Sequence, residues 1–384
     1  MAIKSKRIFY FDALRALAII SVILIHVYTL TRGYVLSGYG TIPSFEWIYT
    51  QFIGNSFRIG VDLFLVLSGA LSLGRVWSIR AFLSKRLPRI ILPFLFWGIV
   101  LSIILISLSY FLNYPYIKSF DLMSILTFIY NAFMAKSIGF APYWFFWMIL
   151  GTYLIMPIFN KWIINSDLKE LEYFLSIWLL TCLFTFTLKT DFPVKLIYFF
   201  SPIGLVVLGY YLRYTERKLL NNPYFGILLI VLSSVSMLAF SYLLSTDHSF
   251  YNFDRYSFLT AIEVIGVFIL FKSFNKFNLD FLSNEKSYLY KLFVDKESIF
   301  KKFSFTLAKY SYGIYLIHTA ILSILYRSIS ISYFSYTSYF LTLFILDVFI
   351  SVLVMSALSR IPHVKDWIGA KWICLDNFET DLKR

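Results

Sequence analysis

Eight ionisable residues stand inside or at the edge of long apolar runs in this chain: Asp12, Arg15, His26, Arg58, Asp62, Glu263, His318 and Asp347. A charge near the middle of a bilayer costs about 2.5 to 3.5 kcal/mol on insertion scales, so each is a candidate functional residue. Arg15 and His26 are eleven residues apart within "FDALRALAIISVILIHVY", residues 11 to 28. Eleven helical steps of about 100° return to within about 20° of the start, so the two share a face and stand roughly 16 Å apart along the axis. Asp12, three residues before Arg15, is placed to pair with its guanidinium. Two readings are open: Arg15 and His26 reach for opposite interfaces, or a polar face runs between them for chemistry.

The second apolar run, "FRIGVDLFLVLSGALSLG", spaces Arg58 and Asp62 as an ion pair, and its Ser68 and Gly69 allow close helix packing. In "RAFLSKRLPRIILPFLFW", Arg80, Lys85, Arg86 and Arg89 gather at the mouth of the third run. Membrane topology explains such a cluster, and so does a phosphate-bearing ligand such as a nucleotide cofactor. His318 either orients a substrate or packs and hydrogen-bonds across helices. Glu263 and Asp347 are intramembrane acids without a partner near in sequence. The run "APYWFFWMILGTYLIMP", which contains Trp144, suits an aromatic belt or a surface for stacking on sugars.

The elements that must position these residues are membrane helices. Of 384 residues, 59% are hydrophobic and 15% charged, with a mean hydropathy of +0.73, which excludes an ordinary soluble domain. The chain is all-α and integral to the membrane. Runs at about 9–30, 52–73, 89–112, 142–161, 170–188, 196–212, 224–245, 256–274, 307–328 and 335–359 predict ten transmembrane helices. With both termini cytoplasmic, 26 of the 35 Lys and Arg residues fall inside. Residues 120–135 are too disruptive of that pattern to be an eleventh span and read as an interfacial or re-entrant helix. The N-terminus reads as an uncleaved first span rather than a secretory signal, because Asp12 and Arg15 interrupt its apolar run. A single membrane domain spans 1–384, with a basic, aromatic cytoplasmic loop at about 275–303 and a short cytoplasmic tail at 360–384.

The formal charge of +14 does not point to nucleic acid, since the basic residues punctuate apolar runs instead of gathering on a soluble face. Cys182 and Cys374 give no disulfide framework and no metal-ligand spacing.

Four motifs in register, "FDALRALAIISVILIH", "GVDLFLVLSG", "KRLPRIILP" and "SYGIYLIH", closely resemble the bacterial acyltransferase-3 family of integral-membrane acyltransferases, from residue 11 to about 328. The resemblance implies a surface-glycan O-acyltransferase in the bacterial inner membrane. It would move an acetyl or other short acyl group from acyl-CoA to a hydroxyl of a cell-envelope saccharide or lipid-linked glycan, with no permanently bound cofactor. The family's essential arginine and histidine fall on Arg15 and His26, while Asp62, Ser68, Arg86, Arg89 and His318 sit in matching motifs. In that reading His26 is the general base, Asp12 holds Arg15, and Arg80, Lys85, Arg86 and Arg89 take the CoA phosphates. The pantetheine then threads past Arg15 to bring the thioester to His26. Arg58, Asp62, Ser68, Glu263, Trp144 and His318 support or bind substrate. A glycan or lipid-intermediate transporter is the leading alternative, and a structural or regulatory membrane protein the third.

Overall fold

A computed structural model describes residues 8–36, 45–190, 196–199, 202–245, 249–276 and 298–370. Among them every regular element is helical: α1 (Phe9–Leu36), α2 (Phe45–Ser56), α3 (Ile59–Ser72), α4 (Ile79–Leu112), α5 (Leu122–Phe133), α6 (Trp144–Asn165), α7 (Leu168–Thr181), α8 (Pro202–Tyr214), α9 (Pro223–Leu244), α10 (Phe258–Lys276), α11 (Ile299–Ser328) and α12 (Tyr336–Leu358).

Polar caps fix where several of these begin. Ser78, Asp121, Asp167 and Ser335 each accept from a backbone N–H three residues on, and Asn222 caps α9 just ahead of Pro223. Seven described segments are long and apolar enough to cross a membrane: Phe9–Val35, Phe45–Ser72, Ile79–Leu112, Ala141–Asn165, Leu168–Leu188, Pro223–Leu244 and Tyr336–Leu358. The other three expected spans fall on α8, α10 and α11. Leu122–Phe133, at 12 residues, is too short to cross.

Two boundaries differ from expectation. The third helix begins at Ile79 rather than 89, so Arg80 to Arg89 ride on its first turns and Pro88 and Pro93 lie inside it. Proline is tolerated inside membrane helices where other groups re-satisfy the freed carbonyl. The second span is two helices, α2 and α3, separated by a turn at Phe57 and Arg58. Most of the expected 275–303 loop, and the tail beyond 370, lie outside the described residues.

The chain divides into two compact units, 1–76 with 156–308 and 373–384, and 77–155 with 309–372. In the first unit α3 and α8 meet at Gly69 and Gly209. A Cβ on Gly69 would overlap the carbonyl oxygen of Val206, and one on Gly209 that of Val66, so only glycine permits this approach. Gly226 and Gly266 bring α9 and α10 together in the same way. The second unit is aromatic at its centre: Phe94 stacks on Phe146 with centroids 3.6 Å apart, and Tyr143 lies 5.1 Å from Phe94 and 5.0 Å from Phe140.

Candidate active site

In the first unit α1 carries Asp12, Arg15 and His26. Asp12 and Arg15 are both buried and form the ion pair that their spacing predicts, at 3.9 Å. The ring Nδ1 of the half-buried His26 lies 2.7 Å from the carbonyl oxygen of Val22, one turn back. A carbonyl only accepts, so Nδ1 carries the proton and the basic nitrogen of the neutral ring is Nε2. Apolar helix N-terminal to His26 thereby selects the tautomer.

Helix α3 packs on that same stretch of α1, with Gly60 against Ala18 and Val22. Two residues on, Asp62 is fully buried, and neither carboxylate oxygen has a hydrogen-bond partner among the described residues. The expected Arg58–Asp62 pair does not form. Arg58 occupies the turn before α3, and its Nε–H is committed to the carbonyl of Gly54 at 2.9 Å, so the four-residue spacing does not act as one helix face. Ser68 donates to the carbonyl of Phe64 and so serves its own helix. Glu263 on α10 finds a partner distant in sequence: the hydroxyl of Ser234 on α9 donates to Oε1 at 2.8 Å, and the hydroxyl of Ser56 joins Ser234 at 3.3 Å.

Residues 249–257, "SFYNFDRYS", lead into α10 and complete this region. Gln51 donates to the carbonyl of Tyr251 at 2.6 Å, Asn55 accepts from the N–H of Phe253 at 3.1 Å, and Ser241 donates to the same Tyr251 carbonyl. Tyr28 donates to Asn252 at 2.8 Å. So clamped, the loop brings Arg255 into electrostatic range of His26, Arg58 and Asp62, and Asp254 into that of Arg58 and Asp62. Sequence reading treats Arg255 as a topological charge and passes over Asp254, Gln51 and Asn55. The one signal was the pair of amides four apart in "TQFIGNS", which places two hydrogen-bonding side chains on one helix face.

The second unit holds the remaining candidates. Arg80 and Lys85 are exposed and Arg86 and Arg89 half-buried on the first turns of α4. The Arg86 guanidinium lies 5.9 Å from the ring centre of Phe82, which stacks on Trp77. Trp144 is half-buried, edge-on to Phe145. His318 is fully buried on α11, with Nδ1 3.1 Å from the carbonyl of Ile314 and its ring beside Tyr315. On the same face Tyr315 donates to the carbonyl of Pro142 and Thr319 to that of Gly139, holding the turn that ends at Tyr143. Asp347 accepts from Ser351 at 3.3 Å. Among the described residues no three His, Cys, Asp or Glu side chains gather as metal ligands.

A family model described as an acyltransferase domain, that of the acyltransferase-3 family, matches residues 8–356. The chain belongs to the acyltransferase-3 family. The match takes in both units and each of the motifs quoted above. No curated protein and no solved structure matches the chain. With its long apolar helices, this family member is a multi-pass membrane protein and an acyltransferase.

Proposed function

We propose that this acyltransferase moves an acetyl or other short acyl group from acyl-CoA to a hydroxyl of a cell-envelope saccharide or lipid-linked glycan. It does so in the bacterial inner membrane, with ten spans and both termini in the cytoplasm. The observation that carries the reading is the hydrogen-bond geometry of His26: with Nδ1–H held by Val22, Nε2 is the nitrogen that can take a proton.

A sugar hydroxyl is a weak nucleophile at neutral pH, and an imidazole with an ordinary pKa near 6.5 is a suitable base for it. As the hydroxyl oxygen attacks the thioester carbonyl, its proton passes to Nε2 of His26 and a tetrahedral oxyanion forms. Collapse of that intermediate forms the ester, breaks the carbon–sulfur bond, and returns the proton from His26 to the departing CoA thiolate. Arg15, held by Asp12, meets the donor, while Arg80, Lys85, Arg86 and Arg89 bind its phosphates by charge-assisted hydrogen bonds. Asp62, Arg58, Glu263, Ser68, Trp144 and His318 act in support.

An acyl-transfer assay on the purified protein separates this reading from a transporter. The acyltransferase releases free CoA only when an acceptor glycan is present and labels that glycan. A transporter moves label across a vesicle without consuming acyl-CoA.

A further inference from the structure

Two arginines flank the ring of Tyr28, two residues beyond His26: Arg58, given only a supporting part above, and Arg32, given none. Arg32, one turn beyond Tyr28 on α1, places its guanidinium 5.6 Å from the centre of the Tyr28 ring. Gly54 packs against the same ring, and its carbonyl accepts the Nε–H of Arg58. One phenol ring thus carries Arg32 on its face and has Arg58 anchored beside it. The two like charges act on one another, and Arg255 adds a third. Neither Arg32 nor Arg58 forms an ion pair with a carboxylate among the described residues. Asp254 also acts on Arg58, so three guanidiniums face one carboxylate; the repulsion left between the half-buried Arg32 and Arg58 is relieved by a ligand anion that accepts from both planar forks.

We infer that Arg32 and Arg58 form an anion-binding site near the His26 end of α1, and that the acceptor saccharide carries a phosphate or carboxylate held there. This rests on reading His26 as the base that meets the acceptor. Arg32 stands six residues beyond His26, about 9 Å along the axis, so the anion and the reacting hydroxyl belong to different parts of one acceptor.

The test is equilibrium binding to the full chain in nanodiscs, using glucose, glucose 1-phosphate, glucuronate and acetyl-CoA as probes. The wild type binds at least one charged sugar about tenfold or more tighter than glucose. Which charged sugar it prefers tells phosphate from carboxylate. Arg32→Gln and Arg58→Gln each abolish the preference with acetyl-CoA affinity unchanged, and Arg32→Lys keeps most of it. Thermal unfolding checks that Arg58→Gln, which also loses the Gly54 bond, remains folded; Arg32→Gln leaves that bond intact and carries the result if it does not. Equal binding of charged and neutral sugars overturns the inference, as does displacement of glucose 1-phosphate by acetyl-CoA, which would give the site to the donor. Failure of acetyl-CoA to bind at all would instead sink the acyltransferase mechanism while leaving a charged-sugar preference standing.

Discussion

The hydroxyl of Tyr28 donates to the side-chain oxygen of Asn252 at 2.8 Å, tying α1 two residues beyond His26 to the loop that carries Arg255. A bond between residues this far apart in sequence sets how a charged loop stands beside the proposed base.

Tyr28→Phe keeps the ring on which Arg32 rests and removes only that bond. A single hydrogen bond is worth about 1 kcal/mol net, so the acceptor KM rises about fivefold. The KM for acyl-CoA stays unchanged. Steady-state kinetics with each substrate varied in turn makes the comparison, and an unchanged acceptor KM would remove the loop from the site.

Asn55 is buried, donating to Ser241 and accepting from the N–H of Phe253. Asn55→Ala leaves that N–H buried without its acceptor, which costs about 1 to 3 kcal/mol. Thermal unfolding in detergent reads the loss, and a melting temperature equal to wild type would show that the loop is not clamped as described.

The helices of this protein and the Asp12–Arg15 pair were legible in the sequence because both depend on local spacing: long apolar runs, and two charges one turn apart on a continuous helix. The Arg58–Asp62 pair was misread for the same reason. Its four-residue spacing crosses the turn at Phe57 and Arg58, which hydropathy does not register. Ser234 and Glu263 are 29 residues apart, Gln51 and Tyr251 are 200 and Tyr28 and Asn252 are 224, and a single sequence holds no trace of such pairings. The acyltransferase motifs were legible as a resemblance; Arg32 and Arg255 were not, since each reads alone as a loop charge.

Close approach of α3 and α8 makes a further demand on sequence. Gly69→Ala and Gly209→Ala each place a methyl group into the backbone of the opposing helix, where no rotamer can relieve the overlap. Both reduce the yield of folded protein in membranes, measured by fluorescence-detected size exclusion. Gly151→Ala, where nothing lies within 4 Å of the added carbon, leaves the yield unchanged. Equal yields for all three would contradict the packing.

Helix α5 provides a pH test away from the membrane spans. Hydrogen bonds from the Ser124 hydroxyl and N–H hold the Asp121 carboxyl down at about 2. A lowered native pKa means that the cap is fully formed above the unfolded value near 3.9 and is lost as pH falls through about 2. The protection of the Ser124 amide, corrected for its intrinsic exchange rate, falls between pH 4 and pH 2 in the wild type. It stays flat in Asp121→Asn, and a parallel fall in both would show that the carboxyl is not the cap.

Acyl transfer by His26→Ala, measured together with acyl-CoA binding on the same preparation, tests the central claim most directly. The mechanism predicts transfer reduced to background with the affinity for acyl-CoA unchanged, and the reverse pattern, weakened acyl-CoA binding, for Arg86→Ala or Arg89→Ala. Transfer that survives in His26→Ala would contradict the assignment of His26 as the base.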